Sequence, residues 1–150
     1  MEWLVREKKK VLRFMKKLDN FTNYLPILAN ADFKLAETND IYRTGIIGQF
    51  NLTFELAWKA LQEIMKMHGV DGAVTGSPRE ILQLGYKIGF INDADVWLLM
   101  LKKRNTSVHI YNEDEVEEMI VLIRDSFIPA FTVLKETLEK KLKETESDWS

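Results

Sequence analysis

The apolar residues of this chain recur every three to four positions, which is the spacing of one face of an α-helix. No convincing stretch alternates apolar and polar residues, so the pattern predicts no β-strand. A first helix is predicted over about 3–31, and Pro26 is expected to kink or divide it because proline lacks an amide hydrogen. The apolar stripe of this helix consists of Leu4, Val11, Phe14, Leu18, Phe21, Leu25 and Leu28.

A second long helix is predicted to end at Gly69 and to begin after three capping candidates, Thr38, Asn39 and Asp40. Its inward face carries Phe50, Phe54, Trp58, Leu61 and Met65. A short helix should follow the loop "GVDGAVTG", with Ser77 and Glu80 as a capping box and Pro78 in the first turn. This short helix is expected to end near Gly89.

Two further helices complete the pattern. Asn92 or Asp93 should begin the segment "DADVWLLMLKKRN", and Asn112 with Glu115 forms another capping box before a last helix to about 142. Pro129 should bend that last helix. Its inward positions are Val116, Met119, Ile120, Ile123, Phe127, Phe131, Leu134 and Leu138. The chain is therefore predicted to be all-α, an up-and-down four-helix bundle with one additional short helix.

The composition agrees with one soluble domain over residues 1–150, in which about 143–150 form a frayed, highly charged tail. Apolar residues make up 46% of the chain and charged residues 29%. The sequence contains no cysteine, which excludes thiolate zinc sites and thiol nucleophiles and is typical of a cytoplasmic protein. With two histidines and no H-E-x-x-H motif, we expect neither a metal site nor a cofactor. No apolar run approaches the roughly 20 residues that cross a membrane.

The charge balance argues against a general nucleic-acid binder. The chain has 21 basic and 23 acidic side chains and a net charge of −2. Proteins that coat nucleic acid usually show a basic excess, so any contact with RNA should be local.

The segment "RNTSVHIY" (104–111) concentrates the candidate chemistry. It contains Arg104, Asn105, His109 and Tyr111. Arginine is a planar fork for phosphate oxygens, and histidine exchanges a proton near neutral pH. Together they suit a metal-free attack of an RNA 2′-hydroxyl on its own phosphate. The alternative is an ordinary helix end, with a basic last turn and a surface histidine. Weak helix formers after Asn105 predict that the helix loosens here.

Other polar residues also have two interpretations. Glu55 and Lys59 are spaced for an ion pair on the helix surface, or Glu55 lies at a buried junction and orients Arg43 or Arg104. Arg79, beside the Ser77 cap, could help to hold an anion, although most such caps hold nothing.

Two glycines lie inside the second predicted helix. Gly45 and Gly48 either permit the close approach of another helix or of a second copy, or mark a soft helix start.

Four blocks of the sequence resemble, in order, the nucleotidyltransferase substrate-binding proteins of the HEPN superfamily. They are "FNLTFELAWKAL" (50–61), "SPRE" (77–80), "GFINDADVWLLMLKKRN" (89–105) and "RNTSVHIY". The resemblance covers roughly 40–125, and it departs from the family at Asn51, where the family usually carries glutamate.

The resemblance implies a HEPN-like homodimer that acts beside a minimal nucleotidyltransferase. In the wider superfamily an R-x4–6-H motif, matched by Arg104 and His109, forms the metal-independent RNase site of toxins. In some of these modules the partner silences the toxin by adding AMP to a tyrosine that corresponds to Tyr111.

Three functions follow from these observations. The first is a module that binds the nucleotidyltransferase partner, its nucleotide substrate, or both. The second is an endoribonuclease toxin of a toxin–antitoxin pair, in which Arg104 and His109 are catalytic and Asn105 orients one of them. The third is an orphan helical dimer without activity. The charge balance favours the first, whereas the complete R-N-x3-H-x-Y pattern favours the second.

Overall fold

The computed structural model describes residues 1–109 and 112–149, and these form helices and turns without a strand. The helices are α1 (Glu2–Ala29), α2 (Asp40–Met67), α3 (Pro78–Lys87), α4 (Ala94–Thr106), α5 (Glu113–Leu122) and α6 (Ile128–Trp149). Short 3₁₀ turns occur at Leu35–Glu37 and Ser107–His109, and a π-helical segment, Ile123–Phe127, joins α5 to α6 without a break. Counted with that junction, the described residues form four long helices and the short α3, so the predicted all-α helical bundle is confirmed.

The predicted caps set the helix starts. The Oδ1 atom of Asn39 accepts a hydrogen bond from the Tyr42 amide at 2.9 Å, and Asn112 accepts one from the Glu115 amide at 2.8 Å. Asp93 caps α4 by accepting the Val96 amide at 3.3 Å. Each side-chain oxygen satisfies an amide that has no partner within its own helix. These caps place the helix starts where the sequence predicted them.

An aromatic cluster forms the centre of the core. Phe131 of α6 packs edge-on against Phe21 of α1 and Trp97 of α4, with ring centroids 6.1 and 5.5 Å apart. It also lies 6.1 Å from Phe50 of α2, which stacks on Phe127 at 5.1 Å. All five side chains are buried. One residue of α6 therefore joins the three other long helices through their rings.

The π-helical segment allows apolar residues spaced four apart along the last helix to be buried on the same side. Met119, Ile123, Phe127 and Phe131 follow one another at steps of four, and all are fully buried. In a regular α-helix each such step turns about 40°, so the first and last would point about 120° apart. In the π-helical segment the Ile128 amide reaches back five residues to the Ile123 carbonyl, which takes up part of that rotation. Pro129 follows directly and has no amide to donate.

Three details of the predicted helices were wrong. Leu4 was placed on the inward stripe of α1, but it lies beyond the packed part of the bundle and is 41% exposed. Of the two effects expected of Pro26, a kink or a division of the helix, the division is wrong, because α1 continues through Pro26 to Ala29. The last helix continues to Trp149 rather than ending near 142.

No helix in the described ranges has the combination of length and apolar character that crossing a lipid bilayer requires.

Phe131→Ala should lower the free energy of unfolding by about 3–5 kcal/mol, because it removes the ring that joins the other long helices. Val133→Ala, on the same helix but 48% exposed, is the matched control and should change it by less than about 0.5 kcal/mol. Urea denaturation at several protein concentrations gives both values. Equal effects of the two substitutions would contradict this assignment of the core.

Candidate functional site

Helices α2 and α4 bring Glu55 and Arg104 together across 49 positions of the chain. The Nη1 atom of Arg104 donates a hydrogen bond to the Oε2 atom of Glu55 at 2.9 Å. Both side chains are about one-third exposed, at 29% and 32%, so the pair lies at the edge of the core. Of the two arginines considered as partners of Glu55, the structure selects Arg104.

The Glu55 carboxylate is held on both oxygens. Trp58 donates its indole N–H to Oε2 at 3.0 Å, and the Nζ atom of Lys59 lies 3.2 Å from Oε1. Partial burial raises the pKa of Glu55. The hydrogen bonds from Trp58 and Lys59 and the charges of Lys59 and Arg104 outweigh that effect, so this pKa lies below the usual value. Glu55 is therefore ionised at neutral pH and acts as a fixed anion between two cations.

The guanidinium group of Arg104 is positioned by an aromatic ring as well as by the carboxylate. Its central carbon lies 5.5 Å from the ring centroid of Phe54, which is a cation–π distance. The Nε atom is buried and has no hydrogen-bond partner in the described part of the chain. Nη2 likewise makes no hydrogen bond to the described residues. Arg104 is thus held by Glu55 and Phe54, while part of its donor capacity is not used by the residues that the structure describes.

The backbone after Arg104 is tied back to α2. Ser107 donates its hydroxyl to the Arg104 carbonyl at 2.9 Å and accepts a hydrogen bond from Asn51 Nδ2 at 3.0 Å. At Ser107 the α-helix changes into a 3₁₀ turn, which confirms the predicted loosening of this helix. The Oδ1 atom of Asn51 is buried and has no partner among the described residues.

Asn105 and His109 lie at this end of α4 with exposed side chains. Neither makes a hydrogen bond or an ion pair with Arg104 in the described part of the chain. Glu55 therefore holds the arginine, and Asn105 does not. The expectation that His109 and Arg104 act in one cleft stays a prediction, as does the modification of Tyr111, which lies outside the described residues.

Two other candidates are placed elsewhere. Arg43 donates to the carbonyls of Ala36 and Glu37 at 2.8 and 2.9 Å, so it holds the first 3₁₀ turn and does not contact Glu55. Arg79 is exposed on α3.

The cap beside Arg79 already has its own carboxylate. The hydroxyl of Ser77 donates to the side chain of Glu80 at 3.0 Å and accepts the Glu80 amide at 3.3 Å. That occupied capping box leaves little reason for an anion to bind there. The structure therefore groups Arg104 with its supports on α2, and neither Arg43 nor Arg79 is part of that group.

Sequence reasoning missed three supports of this site. Trp58 was assigned to the core, which fits its 9% exposure, but its indole N–H also fixes Glu55. Its position three residues after a glutamate was an available signal. Asn51 and Ser107 meet across 56 positions of the chain, and no local pattern indicates such a contact.

A family model described as nucleotidyltransferase substrate binding protein like matches residues 9–140. The chain belongs to this family. The match covers both helices that form the Arg104–Glu55 pair, and the family description implies association with a nucleotidyltransferase. No curated protein shows a significant match to the chain. Within residues 1–109 and 112–149, no three acidic or histidine side chains are grouped closely enough to hold a metal ion.

Glu55→Gln should destabilise the protein by about 1 kcal/mol at pH 7, because it leaves the partly buried Arg104 without its anion. The folded-state pKa of Glu55 is lowered, so its contribution is fully present above the unfolded-state pKa of about 4.3. It should be lost as the pH falls through the lower folded-state value. Denaturant unfolding of both proteins at pH 7 and pH 3 measures this difference.

Glu139→Gln is the control, since Glu139 forms an exposed i,i+4 pair with Lys135 at 3.2 Å. Its effect should stay below about 0.5 kcal/mol at both pH values. If Glu55→Gln costs as much at pH 3 as at pH 7, the carboxylate charge is not what holds Arg104.

Proposed function

We propose that this protein binds a minimal nucleotidyltransferase and helps to present the phosphate-bearing nucleotide on which that partner acts. The observation that carries the proposal is the immobilised Arg104. Its guanidinium group is fixed by Glu55 and Phe54, while Nη2 has no partner in the described ranges. A planar cation that is held in advance loses little conformational entropy when it receives a phosphate.

The surrounding charges favour a short anion over an RNA strand. Lys59, Arg104 and Glu55 together carry one net positive charge, which suits one phosphate group. The first turn of α5, which follows the 104–111 segment, contains Glu113, Asp114 and Glu115. Glu118, further along α5, lies 3.4 Å from Lys103, the residue before Arg104. An extended polyanion at Arg104 would therefore approach an acidic helix, whereas a single nucleotide is small enough to stay clear of it.

One observation favours metal-independent RNA cleavage as the alternative function. His109 is exposed at the end of the 3₁₀ turn, five positions after Arg104, with its imidazole accessible to a substrate. In that function His109 would exchange the proton of the attacking or leaving oxygen, and Arg104 would stabilise the charged phosphorane. An orphan dimer without activity is the remaining outcome.

An exposed stripe on α2 supports the proposed homodimer. Ile41 and Leu52 are 87% and 41% exposed, and Gly45 and Gly48 lie between them on the same side of the helix. Apart from the adjacent residues and the backbone of α2 itself, no described atom lies within 4 Å of a Cβ built on either glycine, so no other part of the described chain approaches closely there. The spacing of these four positions matches the seam of two packed helices. A second copy on this stripe would lie next to Glu55.

Arg104→Lys should weaken nucleotide binding by the protein–nucleotidyltransferase complex about tenfold, because a point charge replaces a held fork. Arg79→Lys, on the exposed surface of α3, is the matched control and should bind like the wild type. Calorimetric titration with ATP, together with pull-down of the partner, measures both steps. Unchanged binding by Arg104→Lys would contradict the proposed role.

Assays of the wild type and of His109→Ala distinguish the three functions. If the wild type cuts RNA in EDTA to leave cyclic or 3′-phosphate ends, and His109→Ala abolishes the cutting, the protein is a nuclease. If the wild type binds neither partner nor nucleotide and leaves RNA intact, it is an inactive bundle.

Gly48→Leu should convert the dimer into a monomer, because the added side chain fills the space into which the second helix packs. The fold should survive, since leucine is a better helix former than glycine and nothing in the described chain occupies the site. Gln83→Leu, an exposed position on α3, controls for added hydrophobicity. Sedimentation at tens of micromolar should show a wild-type dimer, and a wild-type monomer would exclude this interface.

A further inference from the structure

A cleft of about 410 Å³ lies on a different part of the bundle from Arg104. Its walls are the loop before α4, the start of α4, the π-helical segment and the start of α6. The volume is in the range of small-molecule sites. None of the residues around Arg104 lines this cleft. The cleft is therefore separate from the nucleotide site proposed above, and a ligand bound in it would not need that site.

The floor of the cleft is apolar, and the polar groups at its edge are rich in acceptors. Trp97 and Leu134 are buried in the floor, and Pro129 and Val133 form an exposed wall. The polar lining residues are Asn92, Asp93, Asp125 and Ser126.

The two carboxylates at the edge differ in how far their charge is compensated. Asp125 receives two hydrogen bonds from Arg124, at 2.8 and 3.0 Å, and these lower the pKa of its carboxyl group below the usual value. Asp93 forms no ion pair with a described residue, and its Oδ1 atom accepts only the amide that it caps, that of Val96. Asp93 is therefore compensated only by the amino end of α4, and no cationic side chain of the described residues pairs with it.

The cations near the cleft lie beside it rather than in it. Arg124 is engaged with Asp125, and the Nζ atom of Lys141 lies 5.0 Å from the ring centroid of Phe90 at the edge. No lysine, arginine or histidine is among the described residues that line the cleft. A ligand in it would thus meet acceptors and negative charge above an aromatic and aliphatic floor.

We infer that this cleft binds a small primary amine with an apolar, ring-bearing body. The ammonium group would donate a hydrogen bond to Asp93, and Ser126 and Asp125 supply further acceptors in the lining of the same cleft. The body would cover Trp97, Pro129 and Val133. The chemistry is opposite to that of the Arg104 site, which suits an anion.

Three probes that share one ring test the charge requirement. They are 2-phenylethylamine, 2-phenylethanol and phenylacetate, which differ chiefly in the polar group. Binding is followed at pH 7 through the Trp97 indole signal in nitrogen–proton NMR spectra, assigned with Trp97→Phe. We expect the amine to bind at least tenfold more tightly than the alcohol, and the carboxylate to bind weakest. Equal binding of the three, binding led by phenylacetate, or no response to any of them would overturn the inference.

Two variants test the place of binding. Asp93→Asn keeps the helix cap, because asparagine caps as well as aspartate, but it removes the charge, so amine affinity should fall about tenfold. Asp125→Asn should have a smaller effect, since Arg124 already compensates that charge. Asp95→Asn, in the first turn of α4 but outside the cleft, is the control. Wild-type amine affinity in Asp93→Asn would also overturn the inference.

Discussion

The aromatic packing of α2 against α4 and α6 is the interaction on which the rest of the bundle depends. Phe50 and Phe54 lie one helical turn apart on α2. Phe50 packs against Phe127 and Phe131, and Phe54 packs against Trp97. This contact fixes both the rotation and the height of α2 against α4. The polar contacts between these two helices depend on that alignment. If α2 were rotated by the angle of one residue, about 100°, the side chain of Glu55 would point away from Arg104.

The site uses the edge of this core as a support. The ring of Phe54 packs against Trp97 in the core, and the guanidinium group of Arg104 lies over the same ring. Trp58 similarly combines burial with a hydrogen bond to Glu55. The polar group that we regard as functional is therefore stabilised by side chains whose main role is packing, and its geometry should be as rigid as the core itself.

The sequence predicted the helices well, because spacing and caps are local properties. Asn39, Asp93 and Asn112 marked helix starts, because each lies only three residues before the backbone amide that it bonds. The π-helical segment was missed, although the run of four-residue steps from Met119 to Phe131 was visible, because a regular helix was assumed throughout. Candidate site residues were only partly predictable. Sequence spacing left Glu55 with two possible arginine partners, and only the tertiary packing of α2 on α4 distinguishes Arg104 from Arg43.

The π-helical segment between α5 and α6 also determines where a helix of this chain can tolerate the deletion of a residue. Elsewhere in a helix, losing one residue turns everything beyond it by about 100° and carries its apolar face away from the core. Within Ile123–Phe127 the wide turn already contains a residue more than an α-helical turn needs. Deletion of one residue there would tighten the turn to the α-helical form, and α6 could keep its rings in the core. The segment is thus a point at which this chain can lose one residue during evolution and keep its bundle.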